Sequence, residues 1–384
     1  MKPLLDLLVI DLSQFLSGPS ASLRLADLGA RVIKIERPVT GDICRSLYVS
    51  NLDLNGESSI FHAINRNKES FIADLKQSAD YNQVIKLIKM ADVLIHNFRP
   101  GVMERLKLDY DLIKQINTSI IYAEISGYGV DGPWAGKPGQ DLLVQSLSGL
   151  TGLNGNSDKG AVPMGISIID ILTGTYLVQG IMASLVQRGI TGEGTLVQVS
   201  MLEVAADFQF ETITTYYRDG GQPTRRTLHN SAHAYLGAPY GVYKTADGFL
   251  AIAMASVPEL GSLLGCSELQ EYQQPASWFH EREKIKSILA DHLLSKATQH
   301  WLQILEPADI WCAEVLNWQQ LVNHEAFKSL EMVQRVQMKD DFSYLTTRCP
   351  IKIDGEPYFS STAAPTLGEH TAQITNELLM TNSL

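Results

Sequence analysis

The sequence predicts an α/β protein built on a parallel sheet with helices on its faces. Short apolar runs recur through the first half, at residues 7–12 (LLVIDL), 32–36 (VIKIE), 93–97 (VLIHN) and 120–125 (IIYAEI). The first suits a buried parallel strand, and the others are strand-like. Helix-like segments separate them, and strand, helix and strand in repetition wind a parallel sheet. The chain of 384 residues is 45% hydrophobic and 19% charged, which is enough apolar material for more than one core.

Taken in order, the first run ends at Ser13, and residues 19–28 (PSASLRLADL) then show helical spacing. Pro19 is tolerated in a first turn, and Gly29 is a natural stop. From about Gly189 the character changes to a turn, a strand and a helix, followed by a polar connector that holds Arg225 and Arg226. Residues 240–255 read as two strands around Ala246-Asp247-Gly248, residues 259–305 carry helical patterns, and a last helix is expected over 371–379. The expected organisation is a large domain over 1–195, a linker over 196–226, a small α+β domain over 227–325, and a return segment over 326–384. That last segment is too short to fold alone and is expected to dock on the large domain.

A formal net charge of −11 argues against nucleic acid or an anionic membrane as a general partner. Cys44, Cys266, Cys312 and Cys349 form no CxxC pair, which points to a reducing compartment, taken as the cytoplasm. The N-terminal stretch carries Asp6 and Asp11 and reads as a strand rather than a signal peptide. No 18-residue run is wholly apolar, so no membrane span is expected.

The turn after the first run, Ser13-Gln14-Phe15-Leu16-Ser17-Gly18-Pro19, is not GxGxxG, and no Walker A spacing occurs. No HExxH or related spacing appears among the histidines, and no GxSxG elbow is present. Neither a metal nor a redox cofactor is expected. One acid stands out. Across residues 161–188 Asp170 is the only acid, near the start of a long apolar helical stretch. A carboxylate there is either a helix-start acid favoured by the dipole or a working group. Arg37, Arg105 and Lys137 follow three of the predicted strands, and Asn97 and Phe98 close one of them. Ligands of open parallel sheets collect outside the strands' carboxyl ends, so these residues form either a local anion site or ordinary solvated charge.

The ordered series Gly29-Ala30-Arg31-Val32-Ile33-Lys34-Ile35-Glu36-Arg37-Pro38, Gly41-Asp42, Asn65-Arg66-Asn67-Lys68, Asn97-Phe98-Arg99-Pro100-Gly101, Ser126-Gly127-Tyr128-Gly129 and Leu367-Gly368-Glu369-His370-Thr371 resembles the class III CoA-transferase family, also called CaiB/BaiF. The resemblance runs along nearly the whole chain. It implies a Rossmann-like large domain built from both chain ends, a smaller inserted domain, and an interlocked homodimer. It also implies Asp170 as the catalytic acid, with CoA held by Phe15, Ser17, Arg37, Ala73, Lys76, Asn97, Phe98, Arg105 and Lys137. The implied activity moves CoA from an acyl-CoA to a carboxylic acid through anhydride and aspartyl-CoA thioester intermediates, a transfer of a sulfur-containing group. Backbone N–H groups at the helix start are expected to steady the oxyanions.

Racemases of the same fold pair the aspartate with a Gly-His-Asp segment, whereas this chain has Gly139-Gln140-Asp141. Gln140 cannot exchange a proton near neutral pH, which disfavours an acyl-CoA racemase. A non-catalytic CoA-binding dimer is the other alternative. Gln140 is either a hydrogen-bond partner for a substrate carboxylate or a surface loop amide, and Tyr48 is either an acyl-pocket aromatic or a packed surface tyrosine.

Overall fold

The computed structural model describes residues 2–49, 51–54, 56–339 and 342–381. By internal contacts the chain divides into two units. The first comprises residues 1–144, 167–205 and 328–384, and the second 145–166 and 206–327.

The first unit is wound on six parallel strands: β1 (Leu8–Asp11), β2 (Arg31–Glu36), β3 (Lys68–Ile72), β4 (Val93–His96), β5 (Ile121–Ser126) and β6 (Leu196–Ser200). Their spatial order is β3-β2-β1-β4-β5-β6, the order of the doubly wound nucleotide-binding folds. In that order the winding reverses between β1 and β4, where a crevice opens beyond the strand ends. The helices α1 (Ser17–Asp27), α2 (Ser78–Met90), α3 (Ile168–Thr191) and α4 (Thr371–Thr381) cover the sheet. Buried Ile10, Ile33, Leu94 and Tyr122 pack with Val84 and Ile88 of α2 and with Ile374 of α4. The C-terminal helix therefore completes the core begun by the first strand.

Two features depart from the sequence expectation. The strand and helix expected after Gly189 form at Leu196–Ser200 and Met201–Asp207, followed by helix Phe210–Arg218, but the strand, assigned to the linker, is the edge strand β6 of the sheet. Polar Gln198 interrupts the run, which is tolerable because an edge strand need not be apolar on both faces. The second is α3. No 18-residue stretch of it is wholly apolar, yet 18 of its 24 residues together reach a mean hydropathy of 1.4, long and apolar enough by composition to cross a membrane. Gly, Thr, Gln and Ser interrupt the run without lowering its mean hydropathy far. Here α3 packs along α1 and over β5 and β6.

The second unit has its own core. A three-stranded antiparallel sheet, ordered Cys312–Glu314, Phe249–Ile252 and Gly241–Lys244, is backed by helices Val257–Leu264, Arg282–Leu293 and Thr298–Leu305. Tyr243, Leu250, Leu260, Ile285, Leu289 and Trp301 close that core.

Candidate active site

A cavity of about 1010 Å³ opens at the carboxyl ends of the first unit's strands, on the crevice between β1 and β4. The β1–α1 turn gives Phe15 and Ser17, the end of β2 gives Arg37, and the segment after β3 gives Ala73 and Lys76. Asn97 and Phe98 follow β4, Lys137 and Gln140 follow β5, and Asp170 enters from the first turn of α3. Ten residues singled out from the sequence thus meet at one cavity because each follows a strand or starts a helix at the same end of the sheet.

Two others do not line it. Arg105 is exposed on the short helix Val102–Leu106, which follows a left-handed Gly101 at φ 81°, and its guanidinium folds back over that glycine. Arg99, before the turn, lines the cavity in its place. Tyr48 is 45% exposed and donates its hydroxyl to the Gly56 carbonyl at 3.0 Å, the packed-tyrosine arrangement. Its neighbour Leu47 reaches the cavity.

The β1–α1 turn is gripped by side chains from three other places. Asn97 accepts from Gln14 N–H at 2.8 Å and donates to the Gln14 carbonyl at 2.7 Å and to Ser17 Oγ at 3.4 Å. Its amide is therefore spent on the turn. Lys34 Nζ, fully buried in β2, donates to the Ser13 carbonyl at 2.7 Å and pairs with Asp42 at 2.8 Å. Asp42 in turn accepts from Phe15 N–H at 3.1 Å, holding Phe15 at a left-handed φ of 64°. Such a conformation is costly for a side chain with a Cβ and persists only where surrounding bonds impose it.

Beneath the turn lies a charged network that the strand pattern alone did not mark as a feature of the site. Burial pushes the Asp11 carboxyl up, but Lys34 and Lys68, with hydrogen bonds from Ser13 and Ser22, hold it down at about 2. Burial pulls Lys68 down to about 8 against the opposing pull of Asp11. The Cys44 thiol, also at the cavity wall, is pushed up to about 12, first by burial and then by Asp42, so it is no thiolate nucleophile.

Asp170 is the exception among the acids here. Burial first, and then the nearby Asp141 carboxylate, raise it from 3.8 to about 7, opposed by a hydrogen bond from Ser17. Asp141 also occupies the donors at the start of α3. It accepts from Ile169 N–H at 2.7 Å and from Asp170 N–H at 3.1 Å. Two of the helix-start amides, those of Ile169 and Asp170, are therefore already bound. Among the described residues no group of three or more His, Cys, Asp or Glu is arranged to hold a metal ion.

The approach of α3 to α1 sets the Asp170–Ser17 contact, and Gly174 permits it. A Cβ at Gly174 would lie 2.7 Å from the Ser17 carbonyl oxygen and 3.2 Å from Ala21 N, and would overlap Ser20 Oγ. Gly174→Ala is therefore expected to force the helices apart, at a cost of about 1–3 kcal/mol in stability. The thermal midpoint of Gly174→Ala against that of wild type reads this cost.

The model of CoA-transferase family III matches residues 4–371. The chain belongs to that family. A succinate–glutarate CoA-transferase of Agrobacterium fabrum is 30% identical, over 98% of this chain and 96% of its own. A succinyl-CoA:mesaconate CoA-transferase of Haloarcula hispanica is 31% identical, over 97% of this chain and 95% of its own. The crystal structure of a CaiB/BaiF family protein from Brucella suis superposes with a TM-score of 0.85 at 29% identity, covering 98% of this chain and 99% of that one. These family III relatives bear CoA-transferase names, which supports transferase activity on CoA thioesters.

Proposed function

We propose that the protein transfers CoA from an acyl-CoA to a carboxylic acid with Asp170 as covalent nucleophile. The observation that carries this is a half-buried carboxyl, raised to about 7, in the same cavity as Arg37, Lys76, Arg99 and Lys137. Guanidinium and ammonium groups suit the phosphates of CoA, and Phe15 and Phe98 offer apolar surface to the adenine or the pantetheine arm.

In the first step an Asp170 oxygen attacks the thioester carbonyl, the C–S bond breaks, and CoA leaves as thiolate from a mixed anhydride. The thiolate then attacks the Asp170 carbonyl carbon, expelling the donor acid and leaving an aspartyl-CoA thioester. An acceptor carboxylate attacks that thioester, forming a second anhydride and releasing the thiolate again. Thiolate attack on the acceptor's carbonyl gives the new acyl-CoA and returns Asp170. Holding carboxylate and thioester together supplies the effective concentration that a weak nucleophile lacks in water.

The relatives named for succinate, glutarate and mesaconate make dicarboxylates the first acids to test, with succinyl-CoA as first donor. We read the assembly as an interlocked homodimer, with the second unit as the smaller inserted domain, working in the cytoplasm. Exposed Ile171, Val186 and Ile190 along α3 are consistent with a face covered by a second copy, and the mass in solution tests it.

The decisive experiment is peptide mass spectrometry after incubation with acyl-CoA and hydroxylamine. Wild type is expected to carry a hydroxamate on Asp170, and Asp170→Ala none. Absence of the adduct across succinyl-, acetyl- and formyl-CoA would remove the main support for this mechanism. Exchange of a substrate α-proton in D₂O without any acceptor acid would point to a racemase instead.

A further inference from the structure

Two carboxylates meet at the start of α3, and they are treated differently. Asp141 is 4% exposed and receives the helix's own donors, Ile169 N–H at 2.7 Å and Asp170 N–H at 3.1 Å. Asp170 projects into the cavity from the backbone that Asp141 holds. Asp141 is not part of α3. It is the first residue of the helix Asp141–Leu147 and directly follows the loop that brings Lys137 and Gln140 to the cavity. A close approach of Gly127 and Gly139 closes the base of that loop, where a Cβ on either would fall 2.6 Å from the other's Cα.

We propose that Asp141 is a positioning residue for Asp170: its carboxylate caps α3 from outside, fixes the backbone that carries the nucleophile, and sets a second negative charge against it. This rests on the reading of Asp170 as nucleophile. Bonds from N–H groups to a carboxylate are charge-assisted, and the helix terminus favours a negative group, so the buried Asp141 is well solvated by protein. Asp170 is not given those two amide donors; it feels the charge of Asp141 and takes a hydrogen bond from the Ser17 hydroxyl. A carboxylate anchored by hydrogen bonds beside a second acid raises the second through its charge. The result is a nucleophile more basic than an ordinary aspartate, still ionised in useful amount near neutral pH. The capping bonds also tie the cavity loop to the nucleophile, so ligand contacts at Lys137 and Gln140 share a rigid connection with Asp170.

Two substitutions separate charge from hydrogen bonding. Asp141→Asn keeps an acceptor oxygen and drops the charge, while Asp141→Ala drops both. Two readouts apply to each: the pH profile of Asp170 hydroxamate formation with succinyl-CoA, and the pH profile of Asp170 labelling by a water-soluble carbodiimide and an amine, which needs no acyl-CoA. For Asp141→Asn both midpoints are expected to fall by about one pH unit or more, with the thermal midpoint near wild type. For Asp141→Ala, adduct formation at pH 8 is expected to drop by about 100-fold, with asparagine restoring most of it. Unmoved midpoints in folded Asp141→Asn would overturn the proposal, as would equal losses for alanine and asparagine at pH 8. If wild type forms no hydroxamate but the labelling midpoint still moves, the transferase reading fails and the role of Asp141 stands. If the hydroxamate forms and neither midpoint moves, the reverse holds.

Discussion

Asp170→Asn is expected to stabilise the fold above pH 7 while abolishing the covalent adduct. In the folded protein the carboxyl holds its proton up to about 7, against 3.8 for an unperturbed aspartate. Below about pH 3.8 both states are protonated and the group has no effect on stability. Between the two values the unfolded chain has released its proton and the folded one has not, so stability falls as pH rises. Above about 7 the penalty is constant, at most about 4 kcal/mol by the usual conversion, and smaller because solvent reaches a half-buried group. Asparagine keeps the shape and cannot ionise, so it escapes the penalty. Urea unfolding of wild type and Asp170→Asn at pH 3.5, 5.5 and 8 should show a difference near zero at the lowest pH and largest at the highest. A difference that is the same at all three values would mean that Asp170 ionises in the fold as it does in solvent.

The parts of this site legible in the sequence share one physical origin. Interior strands such as Leu8–Asp11 and Val93–His96 are nearly continuous apolar runs, so their ends, and the Asn97, Phe98 and Lys137 that follow strands, could be placed by counting. Lys68–Ile72 and Leu196–Ser200 lie at the sheet's edges and mix polar with apolar residues, so their pairing shows only in three dimensions. Asp170 stood out because it is the one acid in an apolar helix. Asp141 did not, because its partner amides lie 28 and 29 residues away and nothing local marks the contact. Arg105 and Arg99 show the same limit at shorter range. Both belong to one motif, and the left-handed turn at Gly101 decides which of them lines the cavity. Lys34 lies in a strand segment and nothing local singles it out. Its meaning lies in what it touches.

That contact carries the largest stability effect we expect. Lys34→Met removes the Nζ that donates to the Ser13 carbonyl at 2.7 Å and pairs with Asp42 at 2.8 Å, in a place with no access to water. Burial pulls the Lys34 ammonium's pKa down, but Asp42, Asp11 and Glu36 outweigh it and keep the group charged. Methionine fills similar volume, so the loss is electrostatic rather than a cavity. Asp42 is left as a buried carboxylate without its cation, a change that typically costs about 3–5 kcal/mol. Acid sensitivity should rise too. Asp11 sits at about 2 in the fold, so its contribution is complete above about 3.8 and disappears as pH falls through 2. Without Lys34 its folded value rises, less of that contribution remains, and acid unfolding should begin at higher pH. Urea midpoints at pH 7.5 and an acid titration by circular dichroism measure both effects. A fall of under about 1 kcal/mol would show that the pair is no more than a surface-like contact. The double variant with Asp42→Asn removes both charges and should recover part of the loss, as expected when the penalty comes from an orphaned partner. Recovered stability need not restore turnover. Asp42 also holds Phe15 N–H at 3.1 Å, and with it the left-handed residue at the entrance to the Ser17 turn. An amide oxygen is a weaker acceptor than a carboxylate, so the double variant should regain more of its stability than of its kcat.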